Sequence, residues 1–349
     1  MENQLSGVVN WKCPSNIAII KYWGKYGAQL PRNPSISFTL DACYSITTIR
    51  YRGKTDSDSS IRFRFDGQEN AKFGAKVQQF IESLYGYMPI LEKLDLEIES
   101  SNSFPHSTGI ASSASAMGAL ALCLVQIENE ALGLEVHQEA FLKKASFFAR
   151  LGSGSACRSI YPLMGAWGES TFLPHSNNEF AIDCSEWIHP VFHTMNDCIL
   201  IADSTEKKVS SRAGHGLMEN NPYATARYQE ANDRYGKLIQ ALREGDLQTF
   251  GAIAEAEALT LHALMMASSP PYILIRPNTL KMIQAIQDYR TSHQVPVYFT
   301  LDAGPNIHLL YPDSIKVQIQ QFIEKELAQF CEGGQYIKDH VGQGPVQVN

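Results

Sequence analysis

No run of apolar residues in this 349-residue chain is long enough to cross a bilayer; the longest, Ala116 to Val125, is about half a span. The start, Met1 to Trp11, carries Glu2 and lacks the basic-then-apolar order of an export signal. Nothing is therefore expected to anchor or export the chain, and a cytoplasmic location with no membrane partner is the expectation. An excess of positive charge is missing too. Lys and Arg number 29 against 36 Asp and Glu, a formal charge of −7, which argues against a face built to neutralise a nucleic-acid backbone. Any anionic ligand must be met by a local pocket. The seven cysteines (Cys13, Cys43, Cys123, Cys157, Cys184, Cys198 and Cys331) are odd in number, widely spaced and free of any Cys-x-x-Cys pair, which points to reduced thiols rather than zinc or thiol exchange. The Ser/Gly loop around Gly109 is not followed by the Gly-Lys-Ser/Thr of a Walker A loop and carries no Gly-x-Gly-x-x-Gly dinucleotide fingerprint, and no Gly-x-Ser-x-Gly nucleophile elbow is present. None of the ten histidines has a local context that marks it as a base; His189 and His193 have metal-like spacing, but Pro190 between them argues against a helix.

What is present is ordinary globular material, 44% hydrophobic and 19% charged. Gly7 to Cys13, Ile36 to Leu40, Ser45 to Tyr51 and Ile61 to Phe65 are short, rich in β-branched and aromatic residues, and separated by turn formers, so a mixed sheet is predicted. Helical spacing follows from about Glu69 to Leu84, and Leu94 to Glu99 alternates as a strand. The Ser/Gly stretch Ser100 to Ser115 opens a buried helix, Ala111 to Glu128; Val136 to Arg150 is the next. Beyond a boundary near Pro190 to Asp197 come a strand, Cys198 to Ala202, and three long helices. The first is expected to be capped by Asn221-Pro222; the others run from about Asp246 to Met266 and Thr279 to Tyr289. The strands Val297 to Leu301 and Ile307 to Tyr311 then flank the loop Asp302 to Asn306. Two packed lobes, 1–195 and 196–349, are the predicted organisation.

Several segments carry candidate chemistry. Phe104 to Ala114 places Gly109, Ser112 and Ser113 at a helix mouth, where unpaired N–H groups and the helix dipole favour an anion such as phosphate. Alone, such a helix start is more often a plain cap. Gly152-Ser-Gly-Ser-Ala-Cys-Arg-Ser159 sets Arg158 among hydroxyls, either to hold a carboxylate or phosphate by paired hydrogen bonds or as a solvated turn. In Asn16 to Lys25, Lys21 and Lys25 flank aromatics after an apolar run, offering point charges to phosphates or merely snorkelling from a strand end. Lys207, Lys208, Ser210 and Ser211 form a polar loop with the same two readings. Asp302 follows a strand, either as a catalytic carboxylate or as a turn former.

In order along nearly the whole chain, Asn16-Ile-Ala-Ile-Ile-Lys21-Tyr22-Trp23-Gly24-Lys25, Pro34 to Leu40, Gly109 to Ala114, Gly152 to Ser159, Lys207 to Ser211 and Thr300 to Asn306 resemble the mevalonate diphosphate decarboxylases of the GHMP small-molecule kinase superfamily. The resemblance implies an α+β, two-lobed GHMP kinase fold with an N-terminal lobe like ribosomal protein S5 domain 2 and a C-terminal GHMP α/β-sandwich lobe. It implies ATP- and Mg²⁺-dependent phosphorylation of the 3-hydroxyl of mevalonate 5-diphosphate, then loss of phosphate and CO₂ to give isopentenyl diphosphate. On that resemblance Asp302, Lys21 and Arg158 are catalytic; Tyr22, Lys25, Ser153, Ser155 and Ser211 hold substrate; and Gly109, Ser112, Ser113, Lys207 and Ser210 bind ATP. Homodimers are common among such relatives. The chain departs from the family pattern in having Tyr26-Gly27 after Lys25, with a shorter loop to Pro34 in which Arg32 stands as a substitute cation. Relatives that decarboxylate the 5-monophosphate make that acid the alternative substrate, and phosphorylation without decarboxylation is the alternative reaction.

Overall fold

The computed structural model describes residues 5–54, 61–105, 110, 112–205 and 211–348, with the backbone alone for 211 and 212. In chain order the strands are β1 (Ser6–Ile20), β2 (Lys25–Tyr26), β3 (Leu30–Pro31), β4 (Ser35–Gly53), β5 (Ile61–Phe65), β6 (Gln68–Glu69), β7 (Leu94–Asn102), β8 (Met164–Trp167), β9 (Ile182–Asp183), β10 (Met195–Leu200), β11 (Tyr298–Thr300), β12 (Ile307–Pro312), β13 (Tyr336–His340) and β14 (Val346–Gln347). The helices are α1 (Ala71–Ser83), α2 (Ser112–Leu132), α3 (Gln138–Gly152), α4 (Ser211–Gly216), α5 (Ala224–Glu244), α6 (Leu247–Met266), α7 (Pro277–His293) and α8 (Lys316–Phe322).

The first sheet runs β14-β1-β4-β7-β5-β6, with β8 pairing β4 and β9 pairing β8. Ile36 to Leu40 and Ser45 to Tyr51, expected as separate strands, belong to the single 19-residue β4. Burial changes along it: Ser35 to Leu40 are all buried, and the in-and-out alternation of a one-sided strand begins only beyond them. Two different layers cover this sheet. On the outer half of β1 and β4, Val9, Cys13 and Ile49 share a core with Phe80 of α1, Leu120 and Leu124 of α2 and Phe148 of α3. The inner half, with Ile17, Ile19, Ile36 and Phe38, packs against Tyr235 and Leu238 of α5 and Phe250 and Ile253 of α6. The predicted two-lobed α+β architecture is present, and its lobes share this apolar seam.

The second sheet, β11-β12-β10-β13, is antiparallel throughout. Phe299 and Leu309 bury their side chains with Met282 and Ile286 of α7 and Phe322 of α8. The buried carboxylate of Asp339 on β13 stitches the sheets together, accepting the N–H groups of Asp41, Ala42 and Cys43 at 2.9, 2.7 and 2.9 Å. The chain end returns to the first sheet, where β14 sets Gln347 opposite Trp11 of β1.

One local expectation is corrected. Asn221-Pro222 does not cap α5, whose N-cap position is Tyr223 with no side-chain bond; Asn221 Oδ1 instead accepts the Tyr223 N–H at 2.9 Å, a turn one step before the helix. Side-chain caps form elsewhere: Asn70 on α1 accepts the Phe73 N–H at 3.1 Å, and Asp246 on α6 accepts N–H groups from Gln248 and Thr249 at 3.0 Å. Among the described residues, no helix is long and apolar enough to cross a membrane.

Candidate active site

The site lies where the end of β1 meets the loop after β11. β1 hands over directly to Lys21, which is 2% exposed, and its Nζ donates to Asp302 Oδ1 at 2.9 Å. Burial pulls the Lys21 pKa down, while the Asp302 charge and hydrogen bond oppose that pull and Arg158 adds to it. The snorkelling alternative for Lys21 is therefore not what the structure shows, nor is Asp302 a mere turn former. What holds the two segments together is apolar. Trp23, two residues after Lys21, is buried with Leu261 and Met265 of α6, Met218, and Ala303 beside Asp302. The loop after β11 is tied down as well: Gly304 N–H donates to Asp302 O at 2.7 Å, His262 Nε2 lies 3.1 Å from the same carbonyl, and Thr279 Oγ1 donates to Pro305 O at 2.7 Å.

The backbone of Lys21 is clamped by a buried ion-pair cluster that sequence reasoning missed. Glu257, fully buried on α6, accepts the Lys21 N–H at 2.9 Å and a two-pronged contact from Arg227 of α5, 2.6 Å on each side. Arg227 also donates to Lys21 O at 3.2 Å, and Arg234 reaches Glu257 Oε1 at 2.9 Å. Burial pushes the Glu257 pKa up, but the hydrogen bonds and charge of Arg227 outweigh it and hold the carboxyl below its usual range. A signal was available in the sequence. Glu255 and Glu257, two apart within an apolar helix, project about 200° apart and cannot both sit on one solvated face; in the structure both are buried, Glu255 against Arg290 and Glu257 against Arg227.

Arg158 is no solvated turn either. It is 2% exposed, within the 3₁₀ segment Gly154–Ile160. Its guanidinium donates to Ser35 Oγ at 2.6 Å, Ser37 Oγ at 2.8 Å and, more weakly, Asn16 Oδ1 at 3.4 Å. These partners are all neutral, and no carboxylate lies within ion-pair distance of it among the described residues. Burial lowers its pKa, yet a guanidinium does not lose its proton at any ordinary pH, so an uncompensated cation is stored beside the Lys21–Asp302 pair. Asn16 is itself oriented by donating to Ser155 O at 3.1 Å and Ser159 Oγ at 2.7 Å. Ser155 thus enters the site first through its carbonyl.

The two small-residue loops singled out in the sequence do converge. Ser113 Oγ, exposed in the first turn of α2, lies 3.4 Å from Ser153 Oγ, at the entry to the Arg158 segment. The first turn of the 21-residue α2 carries no acidic side chain. Tyr22 points its hydroxyl into a buried position with no partner, close to Gly154, where a Cβ would come within 2.9 Å of the ring. Lys25 starts the β2–β3 hairpin and donates to Gln29 Oε1 at 2.9 Å; the Arg32 guanidinium lies 5.0 Å over the Tyr26 ring in the same hairpin. Ser112 is half-buried at the start of α2, and Ser211 begins α4. Gly109, Lys207 and Ser210, together with the Ser211 side chain, lie outside the described residues.

A buried lysine paired with a part-exposed carboxylate, and a buried arginine bound only to neutral groups, stand where the two α+β lobes meet, an arrangement that suits a phosphoryl-handling enzyme of the GHMP kinase type. Residues 13–178 match the profile of a diphosphomevalonate decarboxylase-like N-terminal domain, and residues 198–346 that of a mevalonate 5-diphosphate decarboxylase C-terminal domain. The diphosphomevalonate decarboxylase of Ganoderma lucidum is 30% identical over 338 residues, 90% of this chain and 81% of the relative. The crystal structure of the mevalonate diphosphate decarboxylase from Staphylococcus aureus superposes with a TM-score of 0.83 at 27% identity, covering 99% of this chain and 98% of that one. A solved structure of MDDEF in complex with MVAPP, AMPPCP and magnesium gives a TM-score of 0.82 at 29% identity, covering 99% of both chains. The chain belongs to the diphosphomevalonate decarboxylase family.

Proposed function

We infer that the chain catalyses the ATP-dependent decarboxylation of mevalonate 5-diphosphate to isopentenyl diphosphate, with ADP, phosphate and CO₂ as the other products. The observation that carries this reading is Lys21 Nζ at 2.9 Å from Asp302 Oδ1, with Arg158 buried nearby and bound only to neutral groups. A tertiary alcohol is a poor leaving group; bound ATP supplies the phosphoryl group that makes its departure feasible. Asp302 accepts the proton of the 3-hydroxyl as that oxygen takes the phosphoryl group. Lys21 offsets the negative charge that builds there. Arg158 holds the carboxylate with the charge its neutral partners leave uncompensated. When the C3–O bond breaks and phosphate leaves, the electron pair of the C1–C2 bond becomes the C2=C3 double bond and CO₂ departs.

Tyr22, Lys25, Ser153 and Ser155 are assigned to the remainder of the acid substrate, and Ser211 to positioning the transferring group. Gly109, Ser112 and Ser113 are assigned to the ATP phosphates at the mouth of α2, with Lys207 and Ser210 nearby in sequence to Ser211. Magnesium suits this site. Among the described residues no three His, Cys, Asp or Glu side chains gather as a metal cage, and Mg²⁺ characteristically takes phosphate oxygens, waters and few protein ligands. Among the described residues the Ser112 and Ser113 hydroxyls are oxygen donors at that mouth. On this reading residues 1–195 form the phosphate-gripping lobe and 196–349 the lobe bearing Asp302, and the protein is a cytoplasmic homodimer serving isoprenoid and lipid synthesis.

One observation favours a second substrate. Tyr26-Gly27 follows Lys25, and Arg32, over the Tyr26 ring, is the further cation of that hairpin; this altered phosphate end suits the 5-monophosphate as the acid instead. Presenting mevalonate, its 5-phosphate and its 5-diphosphate separately with ATP and Mg²⁺, and comparing kcat/KM for CO₂ release, tests the choice. A preference for the 5-diphosphate supports the main reading; a preference for the 5-phosphate replaces it.

A further inference from the structure

His215 on α4 takes no part in the roles assigned above, yet its ring is held more tightly than packing alone requires. It is 8% exposed, and Nδ1 accepts the Gly24 N–H at 3.0 Å. That donor is itself fixed, because Gly24 has φ +96° and a Cβ there would lie 2.2 Å from Tyr228 Oη. With Nδ1 accepting, a neutral ring carries its proton on Nε2. Tyr22 and Trp23 wall the ring at centroid distances of 4.3 and 4.6 Å, so its plane is set as well as its tautomer. Among the described residues Nε2 has no hydrogen-bond partner, and the ring keeps a small exposed area. Burial, followed by the charges of Lys25 and Arg158, pushes the ring pKa down to about 3. Its contacts with Tyr22 and with the Gly24 N–H, which adjoin Lys21 and Lys25 in the chain, set the ring beside the residues assigned to the acid substrate.

We propose that His215 is a specificity-determining donor, whose Nε2–H bonds an oxygen of the phosphate attached directly to the carbon chain of the acid substrate. This rests on the reading of the site given under Proposed function. A neutral donor suits the position. It binds a phosphate oxygen without adding a further cation next to Lys25, and the Gly24 N–H prevents it from turning its proton inward. Because the phosphate on the carbon chain is common to both phosphorylated acids, His215 separates them from unphosphorylated mevalonate and not from each other.

The test is calorimetric titration of mevalonate, its 5-phosphate, its 5-diphosphate and ATP into the full chain and three variants. H215N keeps an acceptor for Gly24 without a donor at the Nε2 position, H215Q carries a donor out to that position, and H215L supplies neither. The expected result is that H215N and H215L bind whichever phosphorylated acids the unmodified chain binds about tenfold more weakly, at unchanged ATP affinity, and that H215Q recovers most of the loss. Should H215N or H215L fail to fold by its melting curve, the ratio of phosphorylated to unphosphorylated affinity in H215Q and the remaining variant decides. Equal affinity in all four proteins overturns the role of His215 and leaves the site reading standing. If the unmodified chain binds neither phosphorylated acid, the site reading falls and this inference falls with it.

Discussion

Lys21 and Asp302 are 281 positions apart, lie in different lobes, and meet as an ion pair of 2.9 Å in which the ammonium is 2% exposed and the carboxylate 26%. The partner left partly open is the one that can reach a ligand. The buried partner cannot leave, because Glu257 and Arg227 grip its backbone on either side.

Asp302→Asn removes the proton acceptor and leaves the Lys21 charge buried without its counter-ion. ADP release in the presence of the acid substrate should fall by about 10²–10⁴-fold. Calorimetric affinity for the acid should change far less. A loss confined to affinity would place Asp302 among the binding groups instead.

Arg158→Lys keeps the charge but cannot span Ser35, Ser37 and Asn16 with a planar fork. A drop of about 10²-fold in kcat/KM for the acid is expected, from the loss of paired charge-assisted bonds. The KM for ATP should be nearly unaffected. Steady-state kinetics with each substrate varied in turn reads both.

Glu257→Gln breaks a fully buried ion pair and loosens the clamp on Lys21. Leaving Arg227 uncompensated should destabilise the fold by roughly 3–5 kcal/mol in urea unfolding. The double replacement Glu257→Leu with Arg227→Met should be less destabilised than the sum of its single variants, since neither charge is then left alone.

His215 gives a pH signature with a definite sign. Its pKa is about 3 in the folded protein against 6.5 for the free side chain. Below pH 6.5 the unfolded chain takes up a proton that the folded one does not, so this contribution to stability is complete above pH 6.5 and is lost as pH falls toward 3. Between pH 6 and 4 the unmodified protein should lose about 1.4 kcal/mol per pH unit more than His215→Asn, measured by urea unfolding across that range. Parallel curves would contradict a neutral, buried ring.

The strands and long helices were legible because their periodicity reflects what covers them. Ser35 to Leu40 alternates hydroxyl and apolar side chains although every one is buried, because the hydroxyls of Ser35 and Ser37 meet Arg158 rather than water, whereas α2 reads as an all-round apolar helix because most of its surface is covered. Apart from the family resemblance of their motifs, the catalytic candidates were legible only as loops of suitable chemistry. Each of Lys21, Arg158 and Asp302 had a bland reading of its own, and what removes it is a long-range fact: burial, a partner 281 positions away, or hydroxyls from another strand. The Arg227–Glu257 clamp was missed because a charge inside a helix shows its partner only in three dimensions, although Glu255 and Glu257 two apart betray that one must be buried. His215 was hidden in a polar run where nothing local distinguishes a buried imidazole from a solvated one. The false cap at Asn221-Pro222 arose because a side chain that closes a turn just before a helix uses the same residue type as one that caps it.

The central claim is that one site couples phosphoryl transfer to loss of the carboxylate. ADP and CO₂ recorded together, from purified protein with ATP, Mg²⁺ and mevalonate 5-diphosphate, test it most directly. The account predicts equal amounts of the two, both lost in Asp302→Asn; ADP formed without CO₂ would contradict it and leave a kinase.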